Sequence, residues 1–158
     1  MRLGTVLLAL LFATACKIDL DHAPKQEGGP MCMDSTSAAC MAAVTHDDLT
    51  WIQQNVFTPQ CTFSGCHNGE NTKQGKIDLT AGKSYATLVN GDSALMSGAK
   101  LVVPGDPTTS YLEVMLGSQP GDIDPTVGTM PQDNGNQLLC CQKLDAIERW
   151  IMGGALNN

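Results

Sequence analysis

The chain has 158 residues, a formal net charge of −7 and only 4% aromatic residues. This length suits one ordinary domain and is too short for two. The acidic balance argues against nucleic acid and anionic lipid as partners, and it favours a partner with a basic surface. The few aromatic residues leave little to fill a core, a shortage that a large bound apolar group would relieve.

The N-terminus has the pattern of an export signal. Arg2 precedes an apolar run at residues 3–12 and small residues before Cys16, and this run is too short to span a bilayer. Small residues leading into a cysteine resemble the lipobox of bacterial lipoproteins, where cleavage precedes the cysteine and lipid is added to it. We therefore predict a lipoprotein signal peptide at residues 1–15 and acylation of Cys16. Ordinary cleavage after Ala15, leaving Cys16 unmodified, is the alternative.

Export also places the chain in an oxidising compartment, where cysteines form stable disulfides. Residues 16–45 mix Gly, Pro, Ser and charge without periodicity and are interpreted as an acylated, flexible tether. Residues 46–158 are expected to form the domain. A disulfide from the tether to the last helix is expected rather than a bond between two adjacent cysteines. The candidates for these bonds are Cys32, Cys40, Cys140 and Cys141.

The first two helices are predicted from apolar spacing. Apolar residues recur at helical spacing after residue 46, with Thr45 or Asp47 as the N-cap and an end at Pro59. A short helix is expected at 84–90, because a glycine follows it directly.

Two more helices complete the prediction. Asp106 is the expected N-cap of the third, with Pro107 in the first helical position. The last helix is expected at about 137–152, followed by two glycines. Since nothing alternates in the manner of a strand, we predict an all-α domain of about four helices with long loops.

The stretch "CTFSGCH" follows the first predicted helix and contains Cys61, Cys66 and His67. Two cysteines with a histidine next to the second are typical of covalent haem attachment, although the usual spacer is two residues and this one is four. A metal site and a disulfide beside His67 are the other interpretations.

The order of these elements resembles the class I cytochrome c fold. The resemblance implies that the first and last helices cross, that Cys61 and Cys66 hold one haem c covalently, and that His67 is the proximal iron ligand. Two thiols would add to the two haem vinyl groups, which keeps the cofactor in a domain with little core.

The same resemblance implies a distal ligand in the loop before the last helix, where Met130 precedes a proline. His/Met ligation raises the potential of such cytochromes. Met130 as an ordinary core residue is one alternative, because methionine fills gaps in many cores. A second histidine ligand, from His22 or His46, is another.

Five ordered segments resemble the planctomycete-type cytochrome c domain and its exported lipoprotein relatives. They are "VFTPQCTFSGCHNG", "GKIDLTAGKSYATLVN", "LVVPGDPTTSYLEVML", "GTMP" and "IERWIMGGA", and together they span about residues 55–155. Lys76 replaces a glycine that is usual in the second segment. Thr109, Ser110 and Trp150 in the later segments are expected either to bind a haem propionate or to cap and pack.

The first functional hypothesis is a membrane-tethered monohaem cytochrome that carries single electrons and is not an enzyme. The implied setting is the envelope of a Gram-negative bacterium, periplasmic or at the cell surface, with a lipid anchor and a basic redox partner. The alternative is a haem-free envelope lipoprotein that acts as a binding module, with a Cys61–Cys66 disulfide. A zinc site at Cys61, Cys66 and His67 is a third hypothesis.

Overall fold

Short helices joined by long loops make up the fold, which is all-α as predicted. The predicted signal peptide, Cys16 and His22 lie outside the described residues. The computed structural model describes residues 32–63, 65–69, 77–132 and 139–158. The helices are α1 (Ala38–Ala43), α2 (Leu49–Ile52), α3 (Thr58–Cys61), α4 (Ser84–Leu88), α5 (Tyr111–Leu116) and α6 (Cys141–Met152).

Isolated β-bridges hold the loop between α4 and α5, and the described residues contain no longer strand. Val89 pairs with Val102, and Lys100 pairs with both Asp92 and Ser110. The segment around Lys100 therefore lies against the end of α4 and the start of α5, and it keeps these two helices together. No helix in the described ranges has both the length and the apolarity needed to cross a membrane.

Helices α2 and α3 form one unbroken stretch, because the π-helical segment Gln53–Phe57 joins them. Asp48 caps this stretch, since its carboxylate accepts the Trp51 N–H at 2.7 Å. The prediction that Thr45 or Asp47 would be the cap is therefore wrong.

The same stretch continues past Pro59 and ends at Cys61, so the predicted end at Pro59 is wrong. A proline inside a helix crowds the carbonyl four residues earlier and offers it no N–H. Here the turn before Pro59 is π-helical, and the carbonyl of Asn55 accepts a hydrogen bond from Lys143 Nζ at 2.8 Å. These two features allow the helix to carry Cys61 as its last residue.

Residues 32–45 fold against the domain, whereas the sequence placed them in the flexible tether. They contain α1, whose N-cap Ser37 accepts the Cys40 N–H. Two disulfides join this segment to the start of α6, which confirms the expected link between the tether cysteines and the last helix. The pairs are Cys32–Cys141 and Cys40–Cys140.

Helix α6 begins at Cys141, later than predicted, because Cys140 is an extended N-cap residue. Because Cys140 is extended and Cys141 is helical, their side chains point in different directions. Each of the two cysteines therefore reaches its own partner. The predicted apolar face of α6 is buried at Leu144, Ile147 and Ile151. Helix α6 packs against α1 and α2, so the first and last predicted helices are in contact.

Asp106 is a cap as predicted, but of a 3₁₀ turn, and helix α5 begins later than predicted, at Tyr111 after its own N-cap Ser110. The Asp106 carboxylate accepts the N–H groups of Thr108 and Thr109 at 3.0 and 3.3 Å, and the 3₁₀ turn begins at Pro107. The backbone N–H of Gly105 donates to Ile151 in α6 at 2.8 Å. This turn therefore ties the loop before α5 to the last helix.

The two disulfides are expected to stabilise the fold in a non-additive way, because they join the same two parts of the chain. Sequence separations of 109 and 100 mean that each bond alone closes a long loop, worth about 4.7 kcal/mol by chain entropy. With one bond present, the other closes only a short ring, worth about 2–3 kcal/mol.

Replacing one pair by serines should therefore lower the free energy of unfolding less than removing the remaining pair afterwards. Urea unfolding followed by circular dichroism measures both steps. Equal losses in the two steps would contradict the shared-loop interpretation.

Candidate functional site

A cavity of about 810 Å³ lies between the α2–α3 stretch, α5 and the neighbouring loops. Its volume falls in the range of small-molecule and cofactor sites, roughly 300–1,000 Å³. The wall is mainly apolar, which suits a large apolar group. Among the residues that form it are Val56, Phe57, Leu88, Leu101, Leu116 and Ile147.

The four residues predicted to hold haem all line this one cavity. Cys61 is the last residue of α3, while Cys66 and His67 follow in the next loop. Met130 comes from the loop after α5, far away in sequence. The fold thus brings two thiols, an imidazole and a thioether to the same space.

The four-residue spacer forms a compact loop between the two cysteines. The His67 N–H donates to the Cys61 carbonyl at 3.0 Å, and the Cys66 N–H donates to the Phe63 carbonyl at 2.9 Å. Gly65 has φ of 82°, a backbone conformation that glycine adopts readily. Phe63 is half exposed and also lines the cavity. His67 stays hydrogen-bonded to the residue that ends α3.

His67 is held by two hydrogen bonds to the segment 77–79. Its Nδ1 lies 3.3 Å from the Ile77 carbonyl, and its own carbonyl accepts the Leu79 N–H at 2.9 Å. Because a carbonyl only accepts, this contact requires the proton on Nδ1 and leaves Nε2 as the free acceptor nitrogen. Burial lowers the pKa of His67, although the Ile77 carbonyl opposes this effect. A neutral imidazole is the form in which histidine binds metals.

Cys61 and Cys66 are thiols, whereas the four other described cysteines are paired. Burial raises the pKa of Cys61 to about 12, the neighbouring Cys66 adds to the increase, and Lys143 opposes it. Burial therefore favours the thiol form of Cys61 over the thiolate.

Met130 is partly buried at the cavity wall, packed against the core. Its backbone N–H donates to the Met115 carbonyl at 2.7 Å, which fixes this part of the loop to α5. Met115 also lines the cavity but is a buried residue of the α5 core. The loop residue Met130 therefore remains the better candidate for a ligand.

The alternative ligands and polar contacts from the sequence have other partners. His46 hydrogen-bonds to Asp48 at 2.8 Å and stacks on Trp51, with ring centroids 4.7 Å apart. The Trp150 indole N–H donates to the Leu156 carbonyl at 2.8 Å. These groups therefore cap and pack, as the structural alternative predicted for Trp150.

Thr109 and Ser110 also bond within their own turn. The Thr109 hydroxyl donates to the Asp106 carboxylate at 2.8 Å, and the Ser110 hydroxyl donates to the Asp106 carbonyl at 2.8 Å. Both residues consequently hold the turn before α5. Their part in binding a propionate has no support from these contacts.

The donor set fits haem c better than zinc. In the described part of the chain, no three or more His, Cys, Asp or Glu side chains are grouped to hold a metal ion. Two half-buried thiols, one neutral imidazole and one thioether around an apolar cavity fit covalent haem. The other described polar lining residues are Gln60, Ser93, Tyr111, Thr126 and Gln132.

Comparison with protein families, with curated proteins and with solved structures finds no match to this chain. The cavity and its lining residues are therefore the basis for a functional proposal. One residue near the site was missed from the sequence, namely Lys143, which is buried on α6. A lysine directly before Leu144, on the apolar side of the helix, was the available signal.

The support of His67 is open to a direct test at Gly69. A Cβ on Gly69 would lie 2.7 Å from Asp78 Oδ2, and the Asp78 carboxylate also accepts from Thr80 at 2.9 Å. Gly82 has nearly the same φ, 79° against 77°, but nothing lies within 4 Å of its Cβ position. Gly69→Ala and Gly82→Ala therefore share the backbone cost of about 1–2 kcal/mol, and only the first disturbs Asp78.

We expect Gly69→Ala to lower the free energy of unfolding by about 1 kcal/mol more than Gly82→Ala, because hydrogen bonds of Asp78 are lost. Urea unfolding of the two variants measures this difference. Equal losses would mean that the Asp78 contact does not hold the segment beside His67.

Proposed function

We propose that this protein is a membrane-tethered monohaem c-type cytochrome that carries single electrons in the cell envelope of a Gram-negative bacterium. One observation supports this most strongly: residues 61, 66, 67 and 130, chosen from the sequence, line a single apolar cavity of about 810 Å³. The attachment loop and Met130 are far apart in the sequence, so their position in the same cavity does not follow from closeness along the chain.

Cys61 and Cys66 are the residues that would hold the cofactor covalently. Each Sγ–H would add across one vinyl group, so a carbon–sulfur bond forms and the hydrogen goes to the neighbouring carbon without net oxidation. Haem supplies one-electron chemistry at its iron when it is bound.

His67 and Met130 are the proposed axial ligands. The Ile77 carbonyl directs Nε2 of His67 to be the ligating atom, as a hydrogen-bonded neighbour does for many metal-bound histidines. If His67 and Met130 both bound the iron, no position there would be left for a substrate. We therefore propose an electron carrier and not an enzyme.

The location and partners are proposed from the sequence. Acylation at Cys16 would anchor the domain to a membrane, and the chain from there to Cys32 would separate it from the lipid. The net charge of −7 favours a redox protein with a basic docking face. No nucleic acid partner is proposed.

A haemochrome spectrum of the protein matured in a host that attaches haem c tests the proposal. We expect one covalent haem per chain, retained after denaturation and extraction with acidic organic solvent. The Cys61→Ser/Cys66→Ser double variant is the control and should lose the haem on extraction. A colourless wild-type protein would contradict the proposal and would favour the haem-free binding module with a Cys61–Cys66 disulfide.

Met130 is tested by its effect on the reduction potential. Met130→His should keep both axial positions filled while lowering the potential by about 0.1–0.3 V, because a thioether ligand raises it relative to imidazole. Met152→Leu is the control, since Met152 is 60% exposed at the end of α6. Redox titration measures both variants, and equal potentials for wild type and Met130→His would exclude Met130 as the ligand.

A further inference from the structure

We propose that Lys143 is a positioning residue that fixes the turn carrying Cys61, so that this cysteine is presented for thioether formation. The consequence for haem rests on the function proposed above. The position of the Cys61 turn itself does not depend on haem. The inference starts from an unusual feature, a lysine on α6 that is only 7% exposed.

The ammonium of Lys143 reaches from α6 to the end of the first helical stretch. Its Nζ donates to the Asn55 carbonyl at 2.8 Å and to Gln60 Oε1 at 3.3 Å. Burial lowers the pKa of Lys143, and the neighbouring Cys61 opposes this effect. A buried cation is costly unless it is hydrogen-bonded, so these two acceptors explain why a lysine is tolerated here.

Pro59 cannot donate to the Asn55 carbonyl. In an α-helix this carbonyl would accept the N–H of the residue four positions later, and proline has none; here Asn55 lies in the π-helical segment Gln53–Phe57. Lys143 supplies the donor from another helix. Pro59 thus offers no N–H to the Asn55 carbonyl, and the Lys143 ammonium on α6 donates to this carbonyl.

Lys143 therefore acts on the residues immediately before Cys61. Gln60, its second acceptor, also lines the cavity. The Cys61 thiol lies 3.8 Å from the Val56 carbonyl, with its sulfur directed back along the same stretch. Holding Asn55 and Gln60 from α6 consequently fixes the direction in which Cys61 leaves the helix.

The effect should be selective for one of the two cysteines. Cys66 and His67 lie in the following loop, where their hydrogen bonds run to Phe63, Cys61 and the 77–79 segment. Loss of Lys143 should therefore weaken attachment at Cys61 and leave attachment at Cys66 intact. A residue that only stabilised the fold would weaken both.

The test is Lys143→Met in the full chain, matured in a host that attaches haem c. Peptide mass spectrometry after alkylation counts free thiol at positions 61 and 66. We expect the fraction of unlinked Cys61 to rise roughly tenfold, as expected for loss of a charged hydrogen bond, while Cys66 remains linked. Lys143→Arg keeps a cation and donors and should restore most of the attachment. Lys100→Met is the matched control, since Lys100 forms an exposed pair with Asp92.

A second variant identifies the mechanism. Pro59→Ala returns an N–H to the Asn55 carbonyl, so the effect of Lys143→Met should shrink several-fold in the Pro59→Ala background. Equal loss at Cys61 and Cys66, or the same effect of Lys143→Met with and without Pro59, would overturn the proposal. Full attachment at both cysteines in Lys143→Met would overturn it as well.

Amide hydrogen exchange in haem-free protein separates this proposal from the proposed function. In Lys143→Met we expect exchange at residues 60–62 to be roughly tenfold faster, with exchange in α4 and α5 unchanged. If the wild-type protein took up no haem and this local effect appeared, the cytochrome proposal would fail and the positioning of the Cys61 turn would stand. Unchanged exchange at 60–62 would overturn the positioning role whatever the haem content.

Discussion

The contact of α6 with the N-terminal part of the domain is the constraint on which the rest of the structure depends. At one end of α6, two disulfides bond it to the segment before α1 and to α1 itself. In its first turn, Lys143 reaches the carbonyl of Asn55. At its far end, the Arg149 guanidinium donates to the carbonyls of Ala43 and His46 at 2.6 and 2.9 Å. After the helix, Asn158 accepts the N–H of Thr50 at 2.9 Å. Backbone carbonyls and sulfur atoms are the partners in these contacts, which add to the packing of the buried apolar face of α6.

The contacts of α6 with the N-terminal part of the domain enclose a space that side chains do not fill, and this space is the cavity. The α2–α3 stretch and Ile147 of α6 form one side of it. The remaining wall comes from α5 and from loops, which are held by backbone hydrogen bonds such as Met130 to Met115 and by the bridges around Lys100. These loops keep a defined path and contribute apolar side chains such as Leu101 and Met130 to the wall. The result is a domain whose centre is lined by apolar groups yet remains open for a large ligand.

The predictable part of this structure was the part with local chemical signals. The Asp106 cap could be predicted because an aspartate followed directly by proline is typical of the start of a helical turn. The four cavity residues could be chosen because two cysteines, a histidine and a methionine in this order resemble a haem c site. The missed features arise from contacts between distant residues. Helix α1 is short and lacks a charged face, so its sequence resembles a linker until the disulfides hold it. The helix passed Pro59 because Lys143, far along the chain, satisfies Asn55, and no local pattern predicts that bond.

The spacer between the cysteines illustrates the same difference between distance in sequence and distance in space. Four residues separate Cys61 from Cys66, yet the His67 N–H bonds directly to the Cys61 carbonyl at 3.0 Å. The end of α3 and the histidine are thus adjacent in space. An attachment site needs two sulfur atoms and an imidazole in fixed relation, and this hydrogen bond provides the relation once α3 extends to Cys61. A longer spacer is therefore compatible with the same chemistry, provided that the helix before it does not end at Pro59.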